Sequence, residues 1–501
     1  MRMSARNTML ATLLLAQTFV AAGCGDLATT VVAPAGYSPV TRSTAALQVG
    51  MVQVCHEGDS TAGFLEVPKA AVAGHLSHGD YVSWLIVEPA SALAGDGIHF
   101  GRITDALLTA RQGRYTRGET TSAKCRITIA AAPGEYIGSF DASSDSSLER
   151  FPLIIDVPDI TLRGALTMTL DGTGRPTGVS ESELEVSSLV PVRPLVSLPN
   201  AEAMVLVVGH AGGSVGKGVV VEGFSFQSGR SDDTNGGIGV IGLRARELVI
   251  RGNRFEKGLS SAVDLRSSTA VIEKNYARQL GASCGFCLGG GEFIAANNRL
   301  LDGGLGGIFV AAALAHMPFS LGAAPVTTVG PDVLPAAGSV TATITNNDVR
   351  GHTRLPIGFG VRILAVGPGS SNIPQSSSVS LSNNELVGNT FGLILDAGFP
   401  TANTLLKGDL DVILNGNAIA QSCQANLLVG FTRHTGSIGT TVNPFLRNSS
   451  YRLTLGTDLL WSEAWFAHPS GFGNDLSVDG VSVGNGIQHS FDQSTCPGLG
   501  G

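Results

Sequence analysis

Charged and aromatic residues are scarce in this sequence. Asp, Glu, Lys and Arg make up 14% of the 501 residues and aromatic residues 6%, whereas charged residues alone usually reach about 25%. The formal net charge is −8, so the chain has no excess of basic residues with which to hold a nucleic acid, and no nucleic-acid partner is expected. The low charge also disfavours long surface helices.

Glycine, by contrast, is abundant, with 66 residues, and 43% of the chain is hydrophobic. This composition suits many short strands joined by turns. The hydrophobic content is sufficient for a core, so wholesale disorder is not expected. A chain of this length holds either roughly two to four ordinary domains or one long solenoid with caps.

A repeated unit, a short apolar strand that ends in an asparagine, runs through the middle of the chain. Asn253, Asn275 and Asn298 are 22 and 23 residues apart, and a fixed period of this size predicts a stacked repeat. Asparagine tolerates the left-handed turn conformation, so we predict that conformation at each of them. Stacked about 4.8 Å apart, their amides can bond to those above and below. The column continues at Asn347, Asn384 and Asn417.

The flanks of the asparagine column are also regular. Glu222, Arg251 and Glu273 alternate in sign on neighbouring coils, which predicts charge pairing between strands. The residue two positions after each asparagine is apolar and is predicted to point into the core. These residues are Phe255, Ala277, Leu300, Val349, Leu386 and Ile419.

A second series of strands alternates with the first, and its second and fourth positions are apolar. Its third position is predicted to face outward, because side chains alternate along a strand. This outward column is mostly apolar. It consists of Gly239, Asp264, Cys287, Phe309, Arg362, Ile394 and Leu428.

The region before the repeats has a characteristic order of elements. It contains a helical spacing of apolar residues at 103–110, a strand that leads into Pro133-Gly134-Glu135-Tyr136, the segment Phe151-Pro152-Leu153, and a strand at 160–164. This order resembles the opening of right-handed parallel β-helix proteins of the pectin lyase-like class, and the resemblance extends to about residue 430. It implies an all-β fold class, a right-handed parallel β-helix solenoid of roughly ten coils with an N-terminal capping helix.

The resemblance implies a fold rather than an activity, since this fold carries lyases, hydrolases, esterases, adhesins and structural proteins. The leading hypothesis is a surface binding or structural module, for which the resemblance favours a polysaccharide partner. The alternative is a polysaccharide lyase or glycoside hydrolase of the pectin lyase-like fold. Whether the protein is an enzyme stays open.

The candidate catalytic residues are Asp264, Arg266, Arg362 and Asp396, placed around a saccharide groove. Asp264 and Arg362 are at least three coils apart, or about 14 Å at strand spacing. That separation is too large for a general acid–base pair. Asp264 and Arg266 share one strand and could bind a ligand, but a surface ion pair is the stronger interpretation.

The N-terminus has the features of an export signal. Arg2 and Arg6 precede an apolar run at 9–22, which is too short to predict a membrane span. The following Ala21-Ala22-Gly23-Cys24 resembles the lipobox of bacterial lipoproteins, which implies lipidation of Cys24 and a lipid-anchored protein of the outer membrane or cell exterior. The alternative is an ordinary secretory signal with an incidental cysteine.

A small cysteine and histidine module comes next. Cys55-His56 and the segment His75-Leu76-Ser77-His78-Gly79-Asp80 resemble a short module of bacterial exported proteins, a resemblance that implies no function. A helix that ends at Gly79 would place His75 and His78 on one face, and Cys55 with His56 would complete a four-ligand zinc set. In the alternative interpretation Cys55 forms a disulfide and the histidines are surface groups.

Six cysteines remain beyond Cys24, and an even number in an exported chain predicts disulfides. The sequence leaves their connectivity open; the pairings considered are Cys55 with Cys125, Cys284 with Cys287, and Cys423 with Cys496. Calcium could bind at Asp232, Asp233 and Asn235, but a glycine-flanked turn is the stronger interpretation.

These observations divide the chain into five parts. They are a signal peptide at 1–23, a flexible tether at 24–48, the cysteine and histidine module at 49–100, the β-helix at 101–430, and a C-terminal cap and tail at 431–501.

Overall fold

The computed structural model describes residues 51–57, 62–89, 97–119, 123, 125–140, 146–179, 186–191, 202–209, 217–228, 237–256, 258–281, 283–312, 339–353, 358–364, 375–396, 408–429, 450–458, 464–466 and 475–482. The predicted signal peptide and tether lie outside these residues. Within them, no helix is both long enough and apolar enough to cross a membrane.

Most strands belong to three parallel ladders, here named A, B and C. Ladder A consists of Trp84–Val87, Ile127–Ala131, Ile160–Arg163, Val220–Glu222, Leu248–Arg251, the second halves of Ser261–Glu273 and Cys284–Ala296, Val340–Thr345, Gln375–Ser382, Gly408–Asn415, Ser450–Thr454 and Asp475–Val478. A short parallel strand, His99–Phe100, pairs at its N-terminal edge, and Val481–Ser482 pairs antiparallel at the other.

Ladders B and C use the remaining strands of each coil. Ladder B consists of Leu153–Ile155, Ala203–Val208, Ile238–Leu243, the first halves of Ser261–Glu273 and Cys284–Ala296, Gly306–Ala311, Phe359–Leu364, Phe391–Asp396, Ala425–Val429 and Ala464–Phe466. Ladder C consists of Glu149–Arg150, Gly134–Ser139, Ser187–Pro191, Phe224–Phe226, Arg254–Phe255, Tyr276–Arg278, Arg299–Leu301, Asp348–Arg350, Glu385–Val387 and Ala418–Ala420.

The chain visits the ladders in a repeating order. Leu248–Arg251 lies in A, Arg254–Phe255 in C and the first half of Ser261–Glu273 in B, after which the same strand continues into A. This order is that of a parallel β-helix, so the predicted all-β fold class is confirmed. Within the described residues ladder C has ten strands, of which Gly134–Ser139 and Glu149–Arg150 follow one another in the same coil, so it spans about nine coils against the roughly ten expected. The right-handed sense of the coil stays a prediction.

One apolar core runs along the axis of the coils. It extends without a break from Cys55 to Val478. The inward rows stack apolar side chains on one another: in ladder A, Ile250, Ile272 and Ala295 occupy successive rungs. Burying each large aliphatic side chain contributes roughly 1.5–3 kcal/mol, so regular stacking is the main stabilising term of the fold.

The inward positions of ladder C are confirmed, and glycines in ladder B make room for them. All six predicted residues are buried. A Cβ added at Gly307 would lie 2.2 Å from the side chain of Val349, and one at Gly285 would lie 2.4 Å from that of Leu300. The abundance of glycine therefore has a packing cause at these coils as well as a turn-forming one.

The asparagine column is confirmed as a buried amide ladder. The Asn275 side chain donates to Asn298 Oδ1 at 3.1 Å, and the Asn275 backbone N–H donates to the same oxygen at 3.0 Å. The ladder continues through Asn417, whose amide donates to Asp458 Oδ2 at 2.6 Å. A carboxylate is suitable at the end of the ladder, because the last side chain has only to accept hydrogen bonds.

One detail of the asparagine prediction is wrong. The left-handed residue is the one before each ladder asparagine, with φ between +52° and +71°. These residues are Gly252, Lys274, Asn297, Asn346, Asn383 and Gly416. The ladder asparagine itself is needed for its amide, which satisfies buried backbone groups at the turn.

The N-terminal module is a small antiparallel sheet joined to the first coil. Its strands are Met51–Glu57, Ala62–Pro68 and Tyr81–Val82, with a 3₁₀ turn at Lys69–Ala71 and a helix at Val72–Ser77. A disulfide joins Cys55 to Cys125, whose Cα atoms are 6.0 Å apart. This link connects the module to the segment directly before Ile127–Ala131 in ladder A.

The predicted capping helix is present and extends further than the apolar spacing suggested, over Ile103–Thr116. Glu149 caps its N-terminus, where the backbone N–H groups of Ile103 and Thr104 donate to the carboxylate at 2.6 and 2.8 Å. Burial raises the pKa of this carboxyl, and these hydrogen bonds oppose the shift. The helix packs its apolar face on the first strands of the core.

Candidate functional site

Two of the four candidate catalytic residues form a buried pair, and the other two lie in later strands of ladder B. Asp264 and Arg266 are both buried, and the Arg266 guanidinium donates to both carboxylate oxygens at 3.0 and 3.1 Å. The expected surface ion pair is therefore a buried, bidentate one. Arg362 lies three strands along ladder B from Asp264, and its guanidinium lies 5.5 Å from the centre of the Phe309 ring. Asp396 lies in the next strand, in register with Leu364; its side chain is outside the described residues.

The column that was predicted to face outward is closed to solvent. One member of the predicted column is wrong. Ile241, and not Gly239, is the residue of its strand that pairs with Asp264. From Ile241 to Leu428 every member is buried, and the apolar ones pack into two layers outside ladder B. A sequence signal for this existed: Ala203–Val208 and Phe391–Asp396 are almost continuously apolar, which is typical of strands buried on both faces.

Ladder A presents a face of the opposite kind, here named the hydroxyl face. It consists of the outward side chains Thr341, Thr343, Thr345, Ser378, Ser380 and Ser382. The threonines and serines are paired in register, and the residues between them are buried. Neighbouring strands are about 4.8 Å apart, and alternate residues along a strand about 6.7 Å apart. The face is therefore a regular grid of hydroxyl groups.

Several of these hydroxyls are available to a ligand. Ser382 donates to Thr345 Oγ1 at 2.9 Å. Among the described residues, Thr343, Ser378 and Ser380 have no such partner for their hydroxyls. The strict alternation in Thr341-Ala342-Thr343-Ile344-Thr345 is the sequence signal for this solvated face, which was not among the predicted sites.

The next strand continues the face with different chemistry. Ile413 pairs with Ser380 and is 47% exposed, and Asp411 pairs with Ser378. Arg452, one strand further, lies 3.5 Å from the Asp411 carboxylate. An apolar side chain and an ion pair thus lie beside the hydroxyl grid.

A hairpin borders the hydroxyl face. Its strands are Met168–Leu170 and Pro176–Val179, and its Arg175 side chain reaches across the turns of later coils. Arg175 donates to Asn346 Oδ1 at 3.0 Å and to Glu385 at 2.7 Å. The hydrogen bond from Arg175 holds the pKa of the Glu385 carboxyl below its ordinary value. Because Asn346 directly follows Thr345, the hairpin forms one rim of the face.

A second candidate site lies in the N-terminal module. His56, His75 and Asp80 offer ligand atoms within 4.8 Å of one another. The Nδ1 atoms of His56 and His75 lie 2.9 and 2.7 Å from the same oxygen, Asp80 Oδ2. Asp80 ends the segment His75-Leu76-Ser77-His78-Gly79-Asp80 and is a ligand that the predicted zinc set lacked.

The predicted four-ligand zinc set is only partly assembled. Cys55 is wrong as a ligand, because its sulfur is bonded to Cys125 and is not a thiolate. His78 is exposed and does not belong to the group of His56, His75 and Asp80. His56 and His75 do come together, and Asp80 takes the third position.

The remaining predicted sites have mixed outcomes. Cys284 is disulfide-bonded to Cys287. Cys423 is also disulfide-bonded, while Cys496 lies outside the described residues. Cys24 and the calcium candidates Asp232, Asp233 and Asn235 lie outside them too.

Comparisons with known proteins give only distant matches. No family profile and no curated protein matches the sequence. A GH87 alpha-1,3-glucanase catalytic domain in complex with tetrasaccharides is 12% identical, with a TM-score of 0.28, and the match covers 78% of this chain and 69% of that one. The GH87 alpha-1,3-glucanase of Streptomyces thermodiastaticus is 12% identical, with a TM-score of 0.24 and coverage of 74% and 65%. Bacteriophage CBA120 tailspike protein 3 is 8% identical, with a TM-score of 0.21 and coverage of 85% and 64%.

Proposed function

We propose that this protein is a cell-surface β-helix that binds polysaccharide along the hydroxyl face. The observation that carries the proposal is the grid of serine and threonine side chains on ladder A, in which Thr343 and Ser378 are exposed and the other four are partly exposed. A sugar polymer presents hydroxyl groups at a regular repeat, and each serine or threonine hydroxyl can both donate and accept a hydrogen bond. The grid therefore supplies many matched contacts to one extended chain.

The surroundings of the face support this ligand class. The strands are held in register by the amide ladder, so little side-chain or backbone freedom is lost on binding. Ile413 offers an apolar contact for the carbon face of a sugar ring, and the Arg175 hairpin borders one edge of the grid through its hydrogen bonds to Asn346 and Glu385. An extended ligand would run beside this edge.

The test is a polysaccharide array scored for both binding and cleavage. Replacing Thr343 or Ser380 with arginine places a bulky side chain in the grid, and we expect at least about tenfold weaker binding, or roughly 1.4 kcal/mol. Ala418→Arg is the matched control, because Ala418 is also exposed and lies in the same stack of coils, but on ladder C. The control should bind like the unmodified chain.

Two results would contradict the proposal. Binding to no polysaccharide, or binding that both arginine variants leave unchanged, would remove the hydroxyl face as the site. Cleavage with unsaturated or reducing-end products would instead establish the alternative, a polysaccharide lyase or hydrolase. The array therefore decides between the two functions that the sequence leaves open.

We also propose that Cys24 anchors the protein in a membrane through acyl chains. The support is the basic, apolar and small-residue order that ends at Cys24, followed by a low-charge segment suited to a tether of about 27 Å. A Cys24→Ser form is expected to leave the membrane fraction after detergent-free lysis and fractionation. A serine form that stays with the membrane would contradict lipidation.

A further inference from the structure

Three side chains with metal-binding chemistry converge in the N-terminal module from three separate elements. His56 lies in the strand Met51–Glu57, His75 in the helix Val72–Ser77, and Asp80 directly before the strand Tyr81–Val82. The β-sheet places the first and third of these elements side by side, with Cys55 paired to Tyr81. The short helix then brings His75 over the same point.

The three side chains differ in their exposure to solvent, which increases from Asp80 to His75 to His56. The Asp80 side chain is 2% exposed, that of His75 26% and that of His56 51%. A buried carboxylate is costly unless it has strong partners, and here both imidazole Nδ1 atoms face one oxygen of Asp80. The result is a cluster in which a buried carboxylate lies beneath two partly exposed imidazoles.

We propose that His56, His75 and Asp80 bind one divalent first-row transition-metal ion of the zinc class. Two imidazoles and one carboxylate form a ligand set that such ions take in proteins, usually with water at the remaining position. Calcium does not fit, since it requires six or more oxygen ligands. The site differs from the predicted set by the loss of Cys55 and His78 and the gain of Asp80.

The observed distances are close to those that an ion requires. Metal–ligand bonds of about 2.0–2.1 Å in a tetrahedron place the ligand atoms roughly 3.3 Å apart. The two Nδ1–Oδ2 distances are 2.9 and 2.7 Å, and all the ligand atoms of the group lie within 4.8 Å of one another, so side-chain movements of about 1.5 Å or less would bring them to that spacing. His56 is the most exposed of the three, and it leaves a path for the ion from solvent.

A bound ion would cross-link the strand, the helix and the following strand of the module. The adjacent Cys55 is already bonded to Cys125 at the first coil, so the ion and the disulfide together would fix the module on the end of the β-helix. Coordination positions on the solvent side stay open to water or to a donor atom from a ligand. This inference is independent of the hydroxyl face.

The experiment is zinc titration by calorimetry on the full chain without a histidine tag, with bound metal measured after dialysis. We expect one zinc ion per chain and no calcium at this site. His56→Ala, His75→Ala and Asp80→Asn should each weaken zinc binding by roughly a hundredfold or more, because each removes one of three protein ligands. His78→Ala is the matched control and should bind as the unmodified chain does.

A thermal melt with and without zinc separates metal binding from folding defects. Zinc should raise the unfolding temperature of the unmodified chain and of His78→Ala, but not of His56→Ala, whose exposed position makes a folding failure of that variant unexpected. No zinc bound to the unmodified chain would overturn the proposal and leave a hydrogen-bonded His–Asp–His cluster. Unchanged affinity in a His56→Ala/His75→Ala double variant would overturn it as well.

Discussion

Replacing Asn298 with alanine is expected to lower the free energy of unfolding by roughly 3–5 kcal/mol, because each buried polar group left without a partner costs about 1–3 kcal/mol. The Asn298 amide donates to Ile272 O at 2.8 Å and to Asn347 Oδ1 at 2.9 Å. Its oxygen accepts from the backbone and the side chain of Asn275. Alanine therefore leaves several groups unsatisfied at the centre of the stack, where water does not reach.

The measurement is urea unfolding followed by circular dichroism. Asn298→Asp is a sharper form of the test, since it keeps the acceptor for Asn275 but cannot donate to Asn347, and we expect it to be destabilising as well. Asn415→Ala is the control, because Asn415 is exposed at the end of a ladder A strand; it should change stability by less than about 0.5 kcal/mol. An Asn298→Ala variant as stable as this control would show that the amide ladder is not a source of stability.

Asp264→Ala is the second change with a large expected effect, a loss of roughly 3–5 kcal/mol. It leaves the Arg266 guanidinium buried without the carboxylate that accepts two of its N–H groups. The double change Asp264→Leu/Arg266→Met should cost much less than Asp264→Ala, since it removes both charges and fills the space with apolar atoms. A double-mutant cycle measures this coupling.

The control for this pair is an exposed pair on another face. Asp411 and Arg452 are 3.5 Å apart and largely exposed, so Asp411→Ala should cost no more than about 1 kcal/mol. If Asp264→Ala were equally mild and instead abolished polysaccharide binding or cleavage, Asp264 would be a site residue and the structural role would be wrong. If Asp264→Ala is instead strongly destabilising, the Asp264–Arg266 pair has a structural role between the apolar layers outside ladder B.

The coils and their register could be predicted because they follow from short-range pattern. Asn253, Asn275 and Asn298 recur at nearly constant intervals, and an amide ladder requires one such side chain at every turn. The inward residue two positions later follows from the alternation of side chains along a strand. Both features are local, so neighbouring residues are enough to specify them.

The candidate sites depended on contacts between distant segments. The Arg175 hairpin reaches Asn346 and Glu385, which are 171 and 210 residues later in the chain. Asp80 joins His56 from 24 residues away through the pairing of two strands. No local sequence pattern indicates which of the outward columns is buried and which is exposed to solvent.

The sequence by itself therefore determined the stacked fold, because the repeat period, the glycine content and the asparagine spacing are all visible in one coil and the next. Only the tertiary structure decided that the outward column of ladder B is buried, and that the outward column of ladder A is a partly exposed hydroxyl grid. It also decided that Cys55 is bonded to Cys125, which replaces a predicted thiolate ligand with the carboxylate of Asp80. Burial and ligand geometry depend on which distant surfaces meet, and that is a property of the assembled coils rather than of any single repeat.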